Sequence, residues 1–286
     1  MGKAVEGAAS VAGEVLRVAK NNPDARAAGQ NLARSFKTVT ETINVALLPL
    51  AMINYGMKRA RHYFENKFPE EMGELLATIP DGELVEPKAS VAGPALQGLA
   101  YSHDEDELKA LYLGLLATAM DGRVQDEAHP AYAEIIRQLS ANELNLLEPT
   151  LRSPGARAIA DIISRDNETR SFHSLLRPVT ALVDDDDEPM RQSGFPVLAE
   201  NWARLGLVEL TWSAWLTGAD AYKWVETLPE FVEEAARVPT GRSVEFQRGM
   251  MSPTEFGRAF ARAVGIMSDT DQKGEGSVDA PAEPQP

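Results

Sequence analysis

Residues able to do chemistry are few in this chain and widely spaced. The four histidines, His62, His103, His129 and His173, lack the i, i+4 pairing and the His-x-x-Glu spacing that set metal ligands on one helical face, and there is no cysteine to supply a thiolate. Asp126-Glu127-Ala128-His129 spells the acidic box with which some helicases hold the magnesium of a nucleotide. That chemistry also needs a Gly-x-x-x-x-Gly-Lys-Ser/Thr loop to cradle phosphates, and the sequence has none. The four letters instead straddle a loop and a helix start, with His129 leading into Pro130. Asp184 to Asp187 lack the alternation and turn glycine of a calcium loop, so they read as an exposed acidic loop. No Gly-x-Ser-x-Gly elbow occurs, and no histidine has an evident nucleophile beside it. The expectation is therefore no catalytic residue, no metal and no cofactor, with an enzyme assembled from distant residues left open as an alternative.

Two regions offer surfaces for binding instead. Thr42 to Met57 carries no charge and Val45 to Ile53 is apolar throughout, while Lys58, Arg59 and Arg61 follow at once. A membrane-spanning helix needs about 20 predominantly apolar residues, more than this run of 16 uncharged ones supplies. The leading expectation is a buried hairpin against the central helices. The alternative is reversible contact with an anionic membrane surface, with Leu48, Leu50, Met52 and Ile53 as the apolar group and Lys58, Arg59 and Arg61 as the cations. The second region holds all four tryptophans, at 202, 212, 215 and 224, which implies a small separate core; Trp212 and Trp215 are the candidate partner surface.

Charge divides the chain. Residues 1–68 hold 10 Lys or Arg against 5 Asp or Glu, net +5, and the remainder holds 18 against 38, net −20. An acidic body repels nucleic acid, which argues against a nucleic-acid partner and favours a protein partner or self-association. Without cysteine or the order of a secretory signal, the expected location is the cytoplasm, with the inner membrane surface as a peripheral site.

The elements that must position these groups read as helices for most of the length. Residues 1–23 form an amphipathic segment expected to be poorly ordered. Across 24–68, Leu32, Phe36, Val39, Ile43, Ala46, Leu50, Ile53, Met57, Ala60 and Phe64 recur in steps of three and four, the seam of a long helix that Pro49 must kink. A central helical domain is expected over 69–166. Within it, a short helix near Pro69 carries Met72, Leu75, Leu76 and Ile79. Ser102-x-x-Glu105 and Ser140-x-x-Glu143 have the form of capping boxes, and Pro130 suits a first turn. Leu108, Leu111, Tyr112, Leu115, Leu116 and Ala119 then share one face, as do Tyr132, Ile135, Ile136 and Leu139. Ala156 to Ser164 reads as a further short helix.

The pattern changes over 167–267. Ser171 to Val183 fits helix or strand, Met190 to Leu205 reads as helix, and Leu205-Gly206-Leu207-Val208-Glu209-Leu210 as helix, glycine turn and strand. An acidic helical insertion over 220–238, a strand over 243–250 and a helix capped by Ser252 complete the order of a winged-helix-like subdomain. Residues 268–286 are polar and rich in Pro and Gly, an acidic tail expected to be disordered. The fold class expected is mainly α: a helical N-terminal and central domain with a small α+β winged-helix-like C-terminal subdomain.

The segments VEPKASVAGPALQGLAYS, DEDELKALYLGLLATAMDGR and AHPAYAEIIRQLSANELNLL, over roughly residues 85 to 150, resemble the abortive infection alpha family of bacterial proteins. Weaker likeness lies around Asn44 to Pro49, Leu205 to Leu207 and Phe256 to Arg258. The resemblance implies a role in phage defence and brings no catalytic residue with it. With the readings above, it points to a non-enzymatic protein that acts by protein or membrane interaction. The alternatives are a DNA-binding winged-helix regulator and an unrecognised enzyme.

Overall fold

The structure is a computed structural model that describes residues 54–80, 82–183, 188–192 and 194–267, with side chains from Lys58 onward. The 1–23 segment, the 268–286 tail, the Asp184 to Asp187 run and the seam up to Met57 lie outside these descriptions, so those readings have no structural counterpart here. The chain divides into two compact units. Among the described residues, one comprises 54–145 and 259–267 and the other 146–258.

The first unit is helical: α1 (Asn54–Asn66), α2 (Phe68–Leu76), α3 (Ala89–Ser102), α4 (Asp106–Met120) and α5 (Ala131–Ile136), with the start of α6 (Ala141–Arg152). Its core is the one the periodicity predicts. Leu108, Leu111, Tyr112, Leu115, Leu116 and Ala119 of α4 are buried, and so are Tyr132, Ile135, Ile136 and Leu139. The last two positions of the seam, Ala60 and Phe64, are buried as well, as are Met72 and Leu76 of α2, whereas Leu75 is exposed. Helices α3 and α4 approach closely because Gly98 has no side chain: a Cβ there would lie 2.2 Å from the Tyr112 ring.

The helix ends bear out one capping box and correct the other. Glu143 reaches back to the Ser140 backbone N–H at 2.5 Å and accepts from its hydroxyl at 3.0 Å, so the glutamate half of that box forms and α6 starts where expected. Ser102 instead closes the preceding helix. Its hydroxyl donates to Gly98 O at 3.0 Å, and α4 begins later, at Asp106, without a side-chain cap. At the start of α5, His129 Nδ1 accepts the Ala131 N–H at 3.1 Å, the helix-start role read for it.

The second unit is built on four antiparallel strands, β1 (Arg157–Asp166), β2 (Phe172–Thr180), β3 (Val208–Thr211) and β4 (Arg242–Pro253), in the order β2-β1-β4-β3. Strands β1 and β4 form its centre, in continuous register from Arg157 opposite Met251 to Asp166 opposite Arg242. Helix α7 (Phe195–Arg204) packs against β2 and β3. A 3-10 turn (Lys223–Thr227) and α8 (Pro229–Arg237) come before β4, and α9 (Glu255–Ala263) follows it. On one face, Ala160, Ile162 and Val179 join Tyr222, Val225 and Leu228, with Trp224, Phe231 and Phe246 packed around them.

This architecture overturns the mainly α assignment and the winged-helix-like subdomain. About half the structure is helical and 19% is strand, which makes it mixed α/β. The decisive error is at 156–164. Ile159, Ile162 and Ile163 fit a helical face, yet this run is a central strand, buried at every position from Ile159 to Ser164. A strand covered on both faces reads as a continuous apolar run and loses the alternation that would reveal it. Three smaller corrections follow. Helix α7 starts only at Phe195, after Gly194 in a left-handed conformation with φ 86°, so Met190 to Gln192 precede it. Pro253 is the last residue of β4, and the cap of α9 is Thr254, whose hydroxyl accepts the Gly257 N–H at 2.8 Å. The tryptophans do not share one core: Trp202 of α7 is fully buried against Phe195, while Trp224 packs with the 222–228 cluster.

Candidate functional site

The most demanding residue of the sheet is Asp161. It sits at the middle of β1, opposite Gln247 of β4, and is only 6% exposed. Side chains alternate between faces along a strand, so Asp161 shares its face with Ile159 and Ile163 and points away from the Ala160 and Ile162 core. Burial pushes its carboxyl above the usual range, because removing a carboxylate from water penalises the charged form; the nearby Arg177 guanidinium and the Trp212 indole pull it partly back. Among the described residues neither Asp161 Oδ1 nor Trp212 Nε1 completes a hydrogen bond of normal geometry, although both atoms are shielded from solvent. Trp212 lies against Gly249, two residues along β4 from Gln247 and on the same face as Asp161, so this buried donor and buried acceptor are neighbours on one face of the sheet.

Local sequence explains how Trp212 gets there. β3 ends at Thr211 opposite Met250, which sets Trp212 beside Gly249 of β4. A Cβ on Gly249 would lie 3.0 Å from Trp212 Cδ1 and 2.7 Å from Thr211 O, so only glycine leaves room for the indole over β4. The following segment returns to the same residue: Tyr222 Oη accepts the Leu216 N–H at 3.0 Å and donates to Gly249 O at 2.7 Å. Arg248 lies over the Tyr222 ring at 5.6 Å. Residues 212–222 are therefore anchored at both ends on Gly249, with Trp215 between the anchors and 36% exposed.

A second polar group lies further along β1. Arg165 donates to Glu245 at 2.7 Å and to Arg170 O at 2.9 Å, and its guanidinium covers the Phe172 ring at 5.1 Å. That pairing holds the Glu245 carboxyl below the usual range. Arg242 donates to Ser164 Oγ and O and meets His173 at 3.0 Å. These cations are committed to partners within the sheet, and the arrangement ties β1, β2 and β4 together at their ends.

The residues named from sequence divide as follows. Trp212 and Trp215, three positions apart, have opposite roles, one turned into the sheet and one outward. Lys58, Arg59 and Arg61 are exposed on α1, and Arg59 pairs with Asp104 at 2.6 Å. Leu48, Leu50, Met52 and Ile53 lie outside the described residues. Asp126 and Glu127 sit in a 3-10 turn and pair with Lys88 at 3.0 Å and Arg262 at 3.4 Å. Among the described residues no three His, Asp or Glu side chains converge as a metal site would require, and no helix is long and apolar enough to cross a membrane.

Sequence reasoning missed Asp161, Arg177 and Gly249. The signal was available for the first: in Ala158-Ile-Ala-Asp-Ile-Ile163 a lone carboxylate interrupts an apolar run, and buried carboxylates are rare without a partner.

Comparison with known proteins gives one match. The family model described as abortive infection alpha matches residues 60–264. No curated protein and no solved structure matches the chain.

Proposed function

We propose that this chain, which belongs to the abortive infection alpha family, acts in resistance to phage as a non-enzymatic protein that binds a protein partner or a membrane surface. The observation that carries the reading is the family match across residues 60–264. A challenge assay tests it. Cells expressing the chain should yield fewer productive infections and lose viability when infected; survival of infected cells with normal plaque formation would remove the defence reading.

Two features support an interaction mechanism. Lys58 and Arg61 are exposed on α1, directly after the uncharged 42–57 run, an arrangement that suits an anionic surface at the inner membrane. Trp215 and the 49% exposed Phe172 offer aromatic contact area of the kind that anchors protein interfaces. Residues 146–258 hold 12 Lys or Arg against 18 Asp or Glu, a balance that favours a protein over a nucleic acid as partner. If residues 42–61 meet lipid, the protein should sediment in part with anionic vesicles and Leu50→Glu should release it. Equal recovery in the supernatant with and without vesicles would leave the protein partner as the mode of action.

A further inference from the structure

We infer that Asp161 and Trp212 form a proton-controlled fastening, through which the charge on a carboxyl inside the sheet sets how firmly the 212–222 loop and its exposed Trp215 are held. This goes beyond the defence reading and does not depend on it. Asp161 Oδ1, an acceptor, and Trp212 Nε1, a donor, are both buried without a hydrogen-bond partner of normal geometry among the described residues. An ionised carboxylate accepts an indole N–H as a charge-assisted bond, roughly twice as strong as a neutral one; the protonated acid offers only the weaker contact. Because Gly249 has no side chain, the indole lies against β4 on the face that Asp161 shares, which puts the N–H on the carboxyl's side of the sheet.

The surroundings of Asp161 limit what else can drive the change. Arg177 of β2 is the charged group that faces it, and Gln247 is its neutral partner on β4. The next ionisable groups toward the far end of β1 and β4, Arg165 and Glu245, are paired with each other. Helix α7, packed against β2 and β3, leaves Glu200 and Arg204 exposed. The loop has its second anchor in Tyr222, whose phenol burial pushes up and out of the range in question, so Trp212 is the anchor that responds to a carboxyl.

The test follows the four indole N–H resonances of the full chain from about pH 4 to about pH 8, bracketing carboxyl titrations raised above the ordinary range. The resonance lost in Trp212→Phe should move with a single titration. Arg177→Gln, at an exposed position, should shift the midpoint to higher pH, and Asp161→Asn should abolish it. Amide exchange of residues 213–217, corrected for its intrinsic pH dependence, should slow as the group ionises in the wild type alone. A Trp212 resonance that does not titrate would overturn the proposal. So would one that titrates unchanged in Arg177→Gln or Asp161→Asn, or loop exchange that ignores the transition. Should Asp161→Asn fail to fold, the wild-type titration and the Arg177→Gln shift still decide.

Discussion

The two units treat buried polarity in opposite ways. In the helical unit, buried Ser102, Asp121 and Glu143 all stand at or near helix ends, where backbone groups need partners: Ser102 donates to Gly98 O, Glu143 serves Ser140, and Asp121 accepts from Arg123 through backbone N–H and guanidinium. In the sheet unit, Thr180 and Gln192 are similarly satisfied, the Gln192 carbonyl accepting the Thr180 N–H at 3.0 Å, but Asp161 lies mid-strand with an oxygen left over. An unsatisfied buried acceptor costs free energy that a helix-end polar group does not. Polarity thus organises the helical unit at little expense and strains the sheet unit, where among the described residues Asp161, Trp212 and Glu230 each keep a buried polar atom without a partner.

Substitutions can break or sharpen that contrast. The largest effect belongs to the apolar core of the helical unit: Leu115 is fully buried, and Leu115→Ala should lose about 2 to 5 kcal/mol from transfer and cavity terms. Chemical denaturation measures it, and a change within a few tenths of a kcal/mol would place that face in solvent. Gly249→Ala comes next. A methyl group 2.7 Å from the backbone Thr211 O must push β3 away from β4, for a loss of about 1 to 3 kcal/mol. Wild-type stability in that variant would refute the close approach that seats Trp212.

Asp161→Asn has a smaller effect and the opposite sign. Its carboxyl holds a proton to higher pH in the folded than in the unfolded chain, so the folded state binds more protons in that window. Stability from this group is complete below the unfolded value near 3.8 and falls as pH rises through the elevated folded value. Asparagine keeps the shape and drops the ionisation penalty. The variant should gain stability relative to the wild type as pH rises, with the gap closing in acid; thermal melts across pH read the difference, and parallel curves would contradict it. The smallest effect is at Arg59→Ala. Both side chains of its pair with Asp104 are about half exposed, and water screens such pairs to between 0 and about 1 kcal/mol. A loss well above that range would assign α1 a stronger tie to the helical unit.

How much could be read in advance also differs between the units. In the helical unit, period and caps agree: Leu111, Leu115, Ile135 and Ile136 are core as their spacing implies, and Pro130 and the Ser140 box mark helix starts. The Ser102 box failed because its serine was taken by the preceding helix, a competition that the four-letter motif cannot express. In the sheet unit, short signals held where a glycine forces the turn, as at Gly206 with φ 75° between α7 and β3. They failed at β1, where burial on both sides erased the alternation. The candidate site was half visible: Trp212 and Trp215 were named together, but not that one turns inward and the other outward.

By itself the sequence determined the helical core, the turn glycines, the acidic balance and the family, since each depends on residue type and near-neighbour spacing. Only the tertiary structure decided that Ala158 to Ile163 is a central strand, that Gly249 sits beneath Trp212, and that Asp161 is buried near an indole and the Arg177 guanidinium. The physical reason is range. Helix propensity, capping and periodicity act within about four residues along the chain, whereas strand pairing joins Asp161 to Gln247, and the charge state of a carboxyl depends on every group that displaces water around it.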